Sequence, residues 1–165
     1  MTRHTTSYIN EGEGDFVVTG GRVLAGFGPR TQRRALDEAS AFFGVPVTAL
    51  RLVDPRFYHL DTALGRIDER TIAYWPEAFS PDSRRVLAEL FPDAIIADEE
   101  DANALALNLV SDGSTVITAP GRPRLCSQIA ERGPLVLELP TDELRKAGGG
   151  AKCCVLELHD ALAAG

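Results

Sequence analysis

An internal repeat restricts the fold of this chain more than any other feature. A strand-strand-helix-strand pattern occurs three times at a spacing of about 45 residues, and periods of that length dictate repeat architectures. The first copy opens with two short β-branched runs within 16–26, joined by Gly20-Gly21, a pair that suits a tight primed turn. Thr31 is the expected cap of a helix that runs to Gly44, with Ala35, Leu36, Ala39, Phe42 and Phe43 on one side at helical spacing. Residues 45–53 then return as a strand. The second copy has strands over 63–67 and 71–75, a helix over 81–90 with Pro81 in its first turn behind Ser80, and a strand over 94–97. The third has strands over 105–110 and 115–119 about Asp112-Gly113, a helix over 124–132 and a strand over 135–139. Each unit would bury a sheet face under its helix, so neighbouring units are expected about a common axis, as in a fan or propeller. The expected class is therefore α/β, one domain over residues 1–165 with units at 15–53, 59–98 and 103–139, followed by a strand over 153–158 that opens a further unit.

Length and composition bound the partners. A chain of 165 residues supports one sizeable core and not two comfortable domains. With 24 acidic against 17 basic residues and a net charge of -7, it is expected to bind neither nucleic acid nor an anionic membrane, and to favour a cationic small molecule. The three cysteines, two of them adjacent, argue against a disulfide framework and for a reducing, cytoplasmic setting. The N-terminal stretch has no apolar core of a signal peptide, and no run reaches the roughly 18 apolar residues of a membrane span.

Three stretches break the hydrophobic pattern at the entrances to the units. Asn10 to Asp15 interleaves Glu11, Glu13 and Asp15 with glycines; Phe57 to Thr62 contains His59 and Asp61, which would share a face in extended backbone. Lys146 to His159 runs three glycines, a sharply turning backbone, into Cys153-Cys154 and an apolar run of strand character, which makes a displayed thiol a candidate nucleophile. Each stretch also has a plain structural reading: a solvated acidic loop, an interior histidine, two small buried hydrophobes. Equivalent positions in a radial repeat converge near its axis, and that convergence would make the three stretches one site. No metal is expected on Cys153, Cys154 and His159, because consecutive strand residues point to opposite faces and no spaced second pair exists; no cofactor is expected either.

Taken in order, Glu11-Gly-Glu-Gly-Asp15, Tyr58-His59-Leu60-Asp61-Thr62 and Gly148-Gly-Gly-Ala-Lys-Cys153 resemble the guanidino-group modifying (pentein, or amidinotransferase) superfamily, dimethylargininases and arginine deiminases above all. The likeness extends to 73–79 and 144–148. It implies a pentein-type α/β propeller, here an incomplete ring matching the last three of five units, and a cysteine-dependent hydrolase that takes dimethylarginine or arginine to citrulline. By the same resemblance Cys153 is the nucleophile, His59 the general acid/base, Glu11 the carboxylate beside it and Asp61 a guanidinium-binding carboxylate. Asp15 has a weaker claim on the substrate, and Cys154 has no direct role. Asn108 and Arg145 stand as substrate-carboxylate candidates with no motif behind them. Val155 occupies a position where the family often has Ser or Thr. The implied partner is a small guanidino molecule, with a homo-oligomer or a second chain supplying the N-terminal half as further alternatives. An amidinotransferase, or a non-catalytic partial ring whose open strand edges bind a partner, remains open beside the hydrolase.

Overall fold

The structure, a computed structural model, describes residues 4–157. Leu158, which ends the last expected strand, and His159 lie outside the described residues. Among those described, three units follow one another. The first comprises β1 (Phe16–Thr19), β2 (Arg22–Phe27), α1 (Arg33–Phe43) and β3 (Val47–Arg51). The second is introduced by a single helical turn, α2 (Leu60–Ala63), and comprises β4 (Leu64–Arg66), β5 (Ile72–Tyr74), α3 (Pro81–Leu90) and β6 (Ile95–Ile96). The third, introduced by α4 (Glu99–Asn103), comprises β7 (Val110–Ser111), β8 (Thr115–Thr118), α5 (Pro123–Ala130) and β9 (Leu135–Glu138), after which α6 spans Asp142–Lys146.

Each unit forms its own three-stranded sheet with one grammar: an antiparallel hairpin, then a parallel third strand reached through the helix. Sheet and helix alternate through the core. The face of the first sheet bearing Ala25 packs on Leu36 of α1, while its opposite face, through Leu24 and Leu50, meets Leu87 of α3. The second sheet meets that same core through Ile72 and Tyr74, and offers Ala73 and Ile95 to Leu125 and Ile129 of α5, which also cover Val116 of the third sheet. Thus α3 lies between the first and second sheets and α5 between the second and third. Successive units are tied by backbone as well, with the Val53 amide donating to the Ala78 carbonyl at 2.8 Å.

The outward face of the third sheet is not buried by α6 or any other element among the described residues. That face exposes Leu135 at 61%, Leu137 at 41% and the adjoining Leu139 at 46%. At the other end of the series Phe42 and Phe43, expected on the buried side of α1, are 38% and 49% exposed, because the core under that helix is small and centred on Ala35 and Leu36.

Other expectations shift for local reasons. The Thr31 hydroxyl does not cap α1: it donates to the buried Asp15 carboxylate at 2.6 Å, and the helix begins two residues later behind Gln32. The strand expected over 105–110 contracts to Val110–Ser111 because Asp98 and Asp101 form a reciprocal capping box that starts α4, and Leu105 leaves it at φ 55°. The strand expected over 153–158 is not formed over its described part. Lys152–Cys154 is a 3-10 turn, and extended backbone resumes only at Val155.

Candidate active site

The entrances to the units are short helical turns, not extended strands. Glu11 immediately precedes the 3-10 turn Gly12–Asp15, His59 immediately precedes α2, and Cys153 lies within Lys152–Cys154. This overturns the same-face argument for His59 and Asp61, since the chain bends between them. The bend has a local cause. The Leu60 amide, one of the unpaired donors at a helix start, is accepted by Asp15 Oδ1 at 3.0 Å, and Thr62 Oγ1 donates back to the His59 carbonyl at 2.7 Å.

His59 is held from outside by Glu11, whose Oε2 stands 2.6 Å from His59 Nε2. That bond is the foremost cause holding the Glu11 carboxyl below its ordinary range. Arg30 Nη1, 3.2 Å from Glu11 Oε1, assists and also stacks its guanidinium over Tyr58. The ring of His59 presses against Gly14: a Cβ at that position would stand 2.6 Å from Nδ1, so only glycine allows the acidic turn to lie this close.

Asp61 is the buried centre of the site. It is 5% exposed, and its Oδ1 has no hydrogen-bond partner among the described residues. Loss of water pushes its carboxyl up from 3.8 to about 6, against the pull of His59 and Lys152. Its other oxygen, Oδ2, stands 4.0 Å from Cys153 Sγ. Cys153 is exposed as a residue, yet its sulfur faces this carboxylate; partial withdrawal from water, then the Asp61 charge, push the thiol above its ordinary value. Both groups therefore hold their protons more tightly than they would in water. A planar cation between them would oppose both shifts.

The other expected residues fall differently. Asp15 is 1% exposed and both its oxygens accept from protein donors, Thr31 and Leu60, contacts that join the acidic turn to α2. Asn108, expected to meet a substrate, is 1% exposed and occupied by the nucleophile turn and the Asp61 backbone. Arg145 donates to the Asn103 carbonyl at 3.3 Å, on the α4 side of the molecule. Cys154 is exposed. Among the described residues no group of three metal-binding side chains comes together, and no helix is long and apolar enough to cross a membrane.

Two residues that bear on the site were not singled out by sequence reasoning. Tyr58 donates its hydroxyl to the Gly148 carbonyl at 2.8 Å, fastening the glycine run; its place beside His59 in the motif was the available signal. Lys152 pairs with Glu13, and with Glu157 at 3.2 Å, so the acidic turn and the segment after Cys153 share one cation. Nothing local in the sequence marks that pairing, because Glu13 and Lys152 are 139 residues apart. A pocket beside these groups is lined by Glu13, Asp61, Arg66, Lys152 and Glu157; neither Cys153 nor His59 borders it.

No family model matches the chain. Individual proteins do. The dimethylarginine dimethylaminohydrolase of Mycobacterium tuberculosis is 48% identical over 155 residues, an alignment covering 94% of this chain and 51% of that protein. The N-terminal domain of ArgZ, an arginine dihydrolase from Cyanobacteria solved with its product bound, superposes with a TM-score of 0.88 at 34% identity, covering 91% of this chain and 56% of that one. A dimethylarginine dimethylaminohydrolase mutant from Pseudomonas aeruginosa complexed with citrulline superposes with a TM-score of 0.69 at 26% identity, covering 86% of this chain and 55% of that one. The chain thus spans about half the length of the M. tuberculosis relative. These homologues bear out the resemblance to the guanidino-group modifying superfamily.

Proposed function

We propose that this chain carries the nucleophile, the acid/base group and a guanidinium-binding carboxylate of a hydrolase that converts dimethylarginine or arginine to citrulline. The observation that carries the proposal is the Cys153 sulfur 4.0 Å from a buried carboxylate whose Oδ1 lacks a partner, with a histidine held by Glu11 in the neighbouring unit. A guanidinium offers its N–H donors to Asp61 in the plane the carboxylate prefers, which sets its central carbon over the sulfur. Its positive charge lowers the thiol pKa as it arrives, and the thiol proton passes to His59, so the nucleophile is generated with substrate bound.

In this reading the Cys153 thiolate adds to the guanidinium carbon. The tetrahedral adduct collapses as the carbon–nitrogen bond to the leaving group breaks and His59, kept in place by Glu11, protonates the departing dimethylamine or ammonia. A thiouronium remains on the sulfur. Water, losing its proton to His59, attacks that carbon; the carbon–sulfur bond breaks, and citrulline and the thiol are released. The name of the M. tuberculosis relative favours dimethylarginine, and that of ArgZ keeps arginine beside it. Transfer to an acceptor amine would share every step up to the thiouronium.

We also read the three units, at 15–53, 59–98 and 103–139, as one domain and as part of a pentein-type α/β propeller in a cytoplasmic enzyme. The alternation of sheets and helices supports this, as do the apolar faces left at Leu135, Leu137, Phe42 and Phe43. Further units, in a longer chain or in an associated one, would cover them. Sedimentation of the chain beside a Leu135→Glu/Leu137→Glu variant tests this, with association expected in the first and lost in the second. A monomer in both, with undiminished turnover, rejects it.

The activity is tested by incubation with asymmetric dimethylarginine and with arginine, reading citrulline and, by mass spectrometry, the adduct on Cys153. Product and adduct are expected from the unmodified chain and from neither reaction of Cys153→Ser. Equal product from both proteins overturns the mechanism, and absence of product and adduct with either compound overturns the function.

A further inference from the structure

The turn that displays Cys153 has little regular structure of its own, being three glycines followed by a 3-10 turn. Its geometry comes from one residue of the third unit. Asn108 precedes β7, is 1% exposed, and touches the turn at three places. Its Oδ1 accepts from the Gly150 amide at 2.8 Å and from the Cys153 amide at 3.2 Å, while its backbone carbonyl accepts from the Lys152 amide at 3.1 Å. On its other side Nδ2 donates to the Asp61 carbonyl at 3.1 Å. One buried amide therefore bridges the backbone of the nucleophile to the backbone of the substrate carboxylate. The bridge is close-fitting, since a Cβ on Gly150 would stand 3.0 Å from Asn108 Oδ1.

We propose that Asn108 is the positioning residue of the nucleophile: its side chain locks the Cys153 turn to Asp61, so that sulfur and carboxylate keep the spacing a guanidinium carbon requires. The inference rests on the functional reading above and deepens it. An amide is suited to this place for reasons of chemistry. Both amides of the turn need an acceptor and the Asp61 carbonyl needs a donor, and Asn offers both on one short side chain. Aspartate would keep the acceptor, lose the donor and add a second negative charge beside Asp61 and the thiol. Leucine would leave the Gly150 and Cys153 amides and the Asp61 carbonyl without these partners. Asn108 contacts the backbone of Cys153 and of Asp61 and acts through them.

The test compares Asn108→Leu and Asn108→Asp with the unmodified chain by amide hydrogen exchange, followed at Gly150 and Cys153 and at core amides such as those of Leu24 and Val116, with thermal unfolding alongside. Asn108→Leu is expected to speed exchange at Gly150 and Cys153 by about tenfold or more, beyond any change at the core amides, and Asn108→Asp to restore protection at those two sites. Citrulline production is read in parallel, where kcat is expected to fall in both variants with KM little changed. Unchanged exchange at Gly150 and Cys153 in Asn108→Leu, or loss equal to that of the core amides, overturns the positioning role. So does a kcat equal to that of the unmodified chain. Exchange requires no turnover, so a failure of the hydrolase reading is seen separately, as absence of citrulline with all three proteins.

Discussion

Replacing Asp61 by Asn should stabilise the fold while removing the substrate's seat, and the size of the effect follows from the geometry. The carboxyl is 5% exposed, its Oδ1 has no hydrogen-bond partner among the described residues, and burial raises its pKa from 3.8 to about 6. Because the folded state holds this proton more tightly than the unfolded chain, unfolding below about pH 6 releases it, and stability falls as pH rises through the window from 3.8 to about 6. At about 1.4 kcal/mol per pH unit, the charged carboxylate costs about 3 kcal/mol at pH 8. Asn cannot ionise, so Asp61→Asn escapes that cost. The gap between variant and wild type should grow from under about 1 kcal/mol at pH 4 to about 2 at pH 5 and about 3 at pH 8. Urea unfolding at those three pH values measures it, with citrulline production expected to be lost from the variant. A gap that does not change with pH, or a variant less stable at pH 8, would refute the reasoning: it would mean that the carboxylate finds in the folded protein the partner that Oδ1 here lacks.

Three further outcomes follow from the same geometry. Alkylation of Cys153 by iodoacetamide should rise with pH around a midpoint above the ordinary thiol value, and the midpoint should fall both in Asp61→Asn and on addition of arginine; a midpoint indifferent to both would remove Asp61 from the neighbourhood of the sulfur. In Gly149→Ala the new Cβ would stand 2.7 Å from Cys153 Cβ and 2.8 Å from Sγ, so the thiol must move. We expect turnover to drop by about a hundredfold while the thermal midpoint changes little, and wild-type activity would show that the turn has slack. Glu11→Gln keeps a hydrogen-bonding group 2.6 Å from His59 but removes its charge, and should lower kcat by about ten- to a hundredfold. An unchanged kcat would make Glu11 a bystander.

Much of the fold was legible because its signals are local. Gly20-Gly21 between β-branched runs, Ser80-Pro81 at a helix start and Gly44 at a helix end act within a few residues, and all appear where the pattern puts them. The errors also share a cause. Phe42 and Phe43 carry a helical apolar pattern whether or not a partner surface lies against them, and periodicity does not report the partner. Thr31 looks like a helix cap because caps are read from neighbours in sequence, whereas its hydroxyl is taken by a carboxylate 16 residues away.

The candidate site divides along the same line. The order of three motifs along the chain, read through their resemblance to the guanidino-group modifying superfamily, was what grouped Cys153, His59, Glu11 and Asp61 as candidates. Their division of labour was decided by tertiary contacts. Burial turned Asp15 into a structural joint and Asp61 into a strained carboxylate, although both are acids in glycine- or threonine-flanked motifs. Packing of the third unit against the Cys153 turn made Asn108 a bridge across 45 residues of sequence to the Cys153 amide. Side-chain chemistry is a property of the residue and can be read one letter at a time. Desolvation and hydrogen-bond saturation are properties of the place where distant segments meet, and only the folded chain fixes them.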